Sequence, residues 1–307
     1  MTSTIQDSLL TLQNVALAGL KQSLLLQTSH QANVALQQLK QSCFSSLPYS
    51  TYNQRPKLMA LFQQLPAQLN CSLTELIRLL MLKLITGFSL HRLTVNVSSD
   101  ISSNYLHSIQ RIYQYWGTAT VTELQTVDDS LLKDIGLLTG ALFPCAERVV
   151  EPCSALQRSL VYNNGFAQGW RFIRALISAR GNKPVCRLHI HLAEINGLSA
   201  AGWRLTWIEL AQLLLLNPQL KGVVGACWFY DPDIGIISPK LSFIKEQLID
   251  IQASWFFSHN ETEQSGAFVR SASRKQAFLD GHYQPRNYVI FIPRARLLTW
   301  YKRQNAC

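Results

Sequence analysis

Beyond Pro184 the chain switches repeatedly between two hydrophobic periods, and this alternation restricts the fold more than any other feature. Residues 185–193 read as a strand, 201–216 as a helix and 222–230 as a strand again. Helix is then expected at 239–249, 271–280 and 294–303, and strand at 254–258 and 288–292. Such a succession predicts an α/β (or α+β) layer, a mixed sheet with covering helices. The helix from Ala201 sets Trp203, Trp207, Leu210 and Leu214 on one stripe, the pattern of a face packed into a core. Asn217-Pro218 ends it, because a residue before proline is driven out of the helical region.

The N-terminal part predicts helices that pack against this sheet. Apolar residues recur at Leu9, Leu12, Ala16, Leu20 and Leu24, then at Val34, Leu36 and Leu39, as in one long amphipathic helix or two shorter ones. Residues 46–57 read as a loop and 58–69 as a short helix. Ser72 with Glu75 three residues later is a capping box, so a helix is expected from there to Gly87. Residues 105–116 and 130–142 are further helical segments, and the alternation over 93–97 predicts a short strand. Pro144, Pro152 and Asn163-Asn164-Gly165 mark a boundary region around residues 145–180. The expected division is a mainly helical 1–150 and an α/β sheet domain over 151–307.

The 307 residues are 48% hydrophobic and only 15% charged, which excludes a disordered chain. The net charge of +10 favours anionic partners: an anionic small molecule, an acidic carrier protein or a membrane surface. Nucleic acid is disfavoured, because no recognised nucleic-acid module is present. Seven cysteines at irregular spacing, with no CxxC pair, argue against a disulfide framework or a structural zinc cluster. No apolar run approaches a membrane span, and no signal peptide is read at the N-terminus; the expected location is the cytoplasm.

Residues 188–194 carry the most pointed chemistry. On a strand, Arg187, His189 and His191 share one face, so two imidazoles stand one strand step apart. Such a pair can hold a divalent metal if further ligands join, and Glu194 joins if the strand ends near Ala193. Asp231 and Asp233 follow the buried strand 222–230, and ligand sites in α/β sheets lie outside such strand ends. Asp231 before Pro232 equally suits a turn that accepts backbone hydrogen bonds. Ser238-Pro239 reads as an N-cap with proline at the first helical position. From Gly266 onward eight basic residues, among them Arg270, Arg274, Arg286, Arg294 and Arg296, face the single acid Asp280. Arg270 and Arg274 flank a helix start, where a phosphate meets both guanidinium donors and the helix dipole. Serine-nucleophile, dinucleotide and P-loop motifs are absent.

Over residues 254–293 the element order resembles the end of a GNAT-type N-acyltransferase. Trp255-Phe256-Phe257 is followed by a helix opening on Ser271-Ala272-Ser273 and ending in Phe278-Leu279-Asp280-Gly281-His282-Tyr283, and then by a further strand. The resemblance implies that strand 222–230 is the earlier central strand and that an acyl-CoA lies between it and strand 254–258. The pyrophosphate would sit at the start of the intervening helix. The family's pyrophosphate loop is missing between Tyr230 and Leu241, and Asp233 would repel phosphate there. The donor implied is therefore acyl-CoA or an acyl carrier protein thioester. His191 or Asp231 would deprotonate the acceptor amine, while Arg270, Arg274 and Ser238 hold donor phosphates. Two other readings stand beside this one: a metal-dependent enzyme using His189, His191 and Glu194, and a non-catalytic protein that recruits a partner.

Overall fold

The computed structural model describes residues 2–44, 52–118, 127–191, 193, 199–268 and 271–306. It is an α/β protein with a helical N-terminal part and a C-terminal sheet. The chain divides into two compact units. Unit 1 comprises Met1–Cys145, Val149–Pro152 and Ile190–Glu194; unit 2 comprises Ala146–Arg148, Cys153–His189 and Ile195–Cys307.

The helices of unit 1 are α1 (Thr2–Lys21), α2 (Leu24–Thr28), α3 (His30–Ser42), α4 (Pro56–Leu69), α5 (Leu73–Thr86), α6 (Ser99–Ile112) and α7 (Asp129–Thr139). Strand β1 (Phe143–Cys145) follows, and β2 (Arg148–Ser154) has its central residues in this unit. Helix α5 is apolar on nearly every face and forms the centre, with Leu76, Ile77, Leu79, Leu80, Leu82 and Ile85 all buried. Its start is set as the capping pattern requires: the Ser72 hydroxyl accepts from the Glu75 amide at 3.1 Å. Helices α1, α3 and α7 pack on it. Helix α7 starts on an Asp128 cap, 2.8 Å from the Leu131 amide, and stops at Gly140, whose φ of +75° suits glycine. The strand expected over 93–97 does not form. Ser98 caps α6 through the Ile101 amide, so this segment enters a helix and never meets a pairing strand. Of the loop expected over 46–57, residues 46–51 lie outside the described residues, 52–55 are turn and irregular backbone, and 56–57 already belong to α4.

Unit 2 contains α8 (Gly165–Ala179), β3 (Val185–His189), α9 (Ala200–Leu216), β4 (Gly222–Cys227), α10 (Ile234–Ile237), α11 (Ser242–Asp250), β5 (Ser254–Asn260), α12 (Ala272–Leu279), β6 (Arg286–Pro293) and α13 (Arg294–Asn305). Within this unit the strands hydrogen-bond in the order β3-β4-β6-β5. β3 and β4 are parallel, with α9 as the crossover, whereas β6 is antiparallel to both β4 and β5. Helix α8 packs Phe172, Ala175 and Ala179 on the sheet face bearing Val185, Val224, Phe256, Val289 and Phe291. The predicted stripe of α9 is buried at Trp203, Trp207, Leu210 and Leu214, and α13 packs on this helix as well as on β4 and β6.

Candidate functional site

Two polar constellations stand out, one in each unit. In unit 1 the centre is Asp134, a carboxylate on α7 that is 1% exposed. Arg111 of α6 donates to Oδ1 at 2.6 Å and to Oδ2 at 3.4 Å. A single π-type turn, Tyr113–Gly117, follows α6 and brings the Trp116 indole N–H to 2.7 Å from Oδ2. His191 Nε2 lies 3.0 Å from Oδ1. Its Nδ1 accepts the Ala193 amide at 3.1 Å, which leaves the neutral ring's proton on Nε2, toward the carboxylate. Burial pushes the Asp134 carboxyl up, but the donors from His191 and Arg111 outweigh it and hold the group below its ordinary value. The neighbouring Lys133 reaches the Ile190 carbonyl at 2.5 Å and pairs with Asp129, whose carboxylate accepts the Tyr52 hydroxyl. Consecutive residues of α7 thus grip consecutive residues Ile190 and His191.

This placement alters the basis of the His-x-His expectation. Strand β3 ends at His189, so His191 lies beyond the strand and is not on its alternating face. The ring is 2% exposed and committed to Asp134 and a backbone amide. Glu194, the third expected ligand, lies outside the described residues. Among the described residues no group of three His, Cys, Asp or Glu side chains is placed to hold a metal ion.

In unit 2 the polar groups gather after β4. Asp231 accepts from its own turn, Asp233 N at 2.9 Å, and from Arg286 through Nε at 2.8 Å and Nη2 at 2.6 Å. Arg286 Nη2 also reaches Asp233 at 2.6 Å. These carboxylates hold the guanidinium proton more tightly than usual, raising the Arg286 pKa. Arg274 and Ser238, both expected to hold donor phosphates, are partners of each other. Arg274 donates to the Ser238 hydroxyl at 3.0 Å and to the Ala267 carbonyl at 2.8 Å, over the Trp228 ring at 4.7 Å. Pro239 stands at the first position of a 3₁₀ turn, Pro239–Leu241, that leads directly into α11, but Ser238 makes no side-chain cap, since its hydroxyl is turned to this guanidinium. Arg270 lies outside the described residues. The gap expected between strands 222–230 and 254–258 is filled by β6, which pairs with β4 from Gly222↔Pro293 to Cys227↔Tyr288 and with β5 on its other edge. Alternation announces a strand but not its neighbour, so the gap had no sequence signature.

The residue that sequence reasoning missed is Arg148. It is 1% exposed, its guanidinium lies 4.2 Å from the Trp203 ring and 5.7 Å from that of Phe229, and among the described residues neither Nη has a hydrogen-bond partner. Burial lowers its pKa, against Tyr230, Cys227 and Glu147 as electrostatic neighbours that raise it. The rings return part of the lost hydration. Buried donors left without acceptors are nevertheless costly, and they mark a place where an acceptor belongs. Nearby the parallel pair parts. Its register runs from Cys186↔Val223 to Leu188↔Gly225, whereas β4 continues to Cys227 paired with β6 alone, and Ala226 is exposed. Gly225 makes room for Tyr230 at this point, since a Cβ there would stand 2.6 Å from the phenol oxygen.

No protein-family model, no curated protein and no solved structure matches this chain.

Proposed function

We propose that unit 2 binds an acyl thioester and passes its acyl group to an amine. The observation carrying this reading is the carboxyl end of β4. There the parallel partner β3 falls away, the crossover helix α9 supplies Trp203, and Arg148 offers two unpaired donors beside Cys227 and Tyr230. Ligands of parallel layers bind outside such strand ends. The element order of residues 254–293, which resembles that of GNAT-type N-acyltransferases, suggests this chemistry but not the family's donor position, because β6 occupies the gap between strands 222–230 and 254–258.

In the reaction the amine nitrogen attacks the thioester carbonyl, the C–N bond forms and the C–S bond breaks. The amine gives up a proton and the thiolate takes one. Arg148 would bind an acceptor oxygen of the donor, and Arg274 has Nη2 left for a donor phosphate once Nε and Nη1 are engaged. To act as the base, Asp231 would have to leave Arg286. The donor is acyl-CoA or the thioester of an acidic carrier protein.

The test is calorimetric titration of the full chain with acetyl-CoA, a long-chain acyl-CoA and an acylated carrier protein, repeated with Arg148→Met. Saturable binding of one thioester is expected, weakened at least tenfold by the substitution. The melting temperature should hold or rise, because an apolar replacement removes an unpaired buried charge. Absence of affinity for all three donors, or equal affinity in the Arg148→Met chain, overturns the reading.

A further inference from the structure

Helix α8 is apolar on two opposite faces. One is buried on the sheet through Phe172, Ala175 and Ala179. The other carries Phe166, Trp170, Ile173 and Ile177 at i, i+4, i+7 and i+11, one helical stripe, with Tyr162 just ahead of it. These side chains stand out into solvent: Phe166 is 89% exposed and Ile177 71%. Isolated exposed apolar residues need no explanation, but an ordered row of aromatic and branched side chains does.

The surroundings of the stripe are basic. Between Pro152 and Ala193 the chain has Arg158, Arg171, Arg174, Arg180, Lys183 and Arg187 and no acid. Arg171 and Arg174 lie on the flank of α8 between its two apolar faces. They are exposed and make no hydrogen bond or ion pair among the described residues. With Arg296, Trp255, Tyr288 and Asn164 they line a pocket of about 480 Å³ in which no acidic side chain stands among the described residues.

We infer that this face of unit 2 docks on an anionic phospholipid bilayer, with Phe166, Trp170, Ile173 and Ile177 entering the acyl boundary and the Arg171–Arg174–Arg296 pocket taking a lipid phosphate. Side chains this exposed form a ridge, and a ridge suits a fluid interface that closes around it. Aromatic and branched residues beside arginines are the composition of membrane-surface helices. A second copy of the chain would bring the same arginines against these. The surface does not depend on the acyl-transfer reading, and it adds a site for that activity at a membrane.

The test is flotation of the full chain with vesicles of phosphatidylcholine alone and with about a third phosphatidylserine. It is repeated with the double variant Phe166→Ser/Trp170→Ser, with Arg171→Gln/Arg174→Gln, and with excess inorganic phosphate. The wild-type chain should float with the anionic vesicles only. Each double variant should bind at least tenfold more weakly while keeping the circular dichroism spectrum and melting temperature of the parent, and phosphate should not release the protein. No flotation with anionic vesicles overturns the inference, as does equal binding by the Phe166→Ser/Trp170→Ser chain. Release by phosphate reduces the site to a soluble-anion pocket and also overturns it. So does capture of an acidic carrier protein by this face with no vesicle binding.

Discussion

Asp134 and Arg148 are buried ions solved in opposite ways. Asp134 receives Arg111, the Trp116 indole and His191, so its charge is compensated inside unit 1. Asp134→Asn removes that charge but leaves the Arg111 guanidinium behind, and urea denaturation should show a loss of about 3–5 kcal/mol. The pH dependence follows from the lowered carboxyl pKa. A depressed folded-state value makes the ionised group stabilising above its unfolded value of about 4, and the contribution is lost as pH falls through the folded value. The stability gap between the parent and Asp134→Asn should therefore stay level from neutral pH down to about pH 4 and narrow below it. Neither ion was legible in the chain. His191 was picked out for its spacing from His189, yet its environment is set by a carboxylate 57 positions away in sequence. Arg148 had no signal at all, because a lone arginine before Val149-Val150 reads the same whether it faces water or a tryptophan.

At the scale of elements, local chemistry was a good guide wherever one segment decides its own structure. The Ser72 cap, the α9 stripe and the closing helix after Pro293 all follow from nearest-neighbour hydrogen bonds or from a 3.6-residue period. Ser72→Ala should cost about 1 kcal/mol in thermal unfolding, the usual worth of an N-cap hydroxyl. Where an element depends on a partner, sequence reasoning went astray. Residues 93–97 alternate like a strand but find no ladder. The short strands β1 and β2, with Pro144 and Pro152, were passed over as part of a boundary. Helix α8 fell in the same region because Asn163-Asn164-Gly165 looks like a turn; it is in fact the helix entry, with Gly165 at φ +69°. The contact of Tyr230 with Gly225 belongs to this scale too. Gly225→Ala puts a methyl group against the phenol and should destabilise the chain by about 1–3 kcal/mol, visible as a lower melting temperature.

Across the whole molecule, charge and apolar surface act over different distances. The net +10 attracts anions from about a Debye length, ~10 Å at 0.1 M salt, whereas the α8 stripe acts only on contact. Raising salt should therefore weaken vesicle binding by the same factor in the parent and in Phe166→Ser/Trp170→Ser, whose charges are equal, while Arg171→Gln/Arg174→Gln should show a shallower salt slope in the same flotation assay. The sequence by itself determined the class of the protein, α/β with a helical N-terminal part, along with most helix starts and the buried stripe of α9. Those features come from period, capping and composition, which are local. Only the tertiary structure decided that β6 lies between β4 and β5, that β3 and β4 part beyond Gly225, that Arg148 is enclosed with unpaired donors, and that α8 keeps an apolar face in solvent. Each of these depends on which distant segments become neighbours, and hydrophobic patterning states that a face must be covered without stating by what.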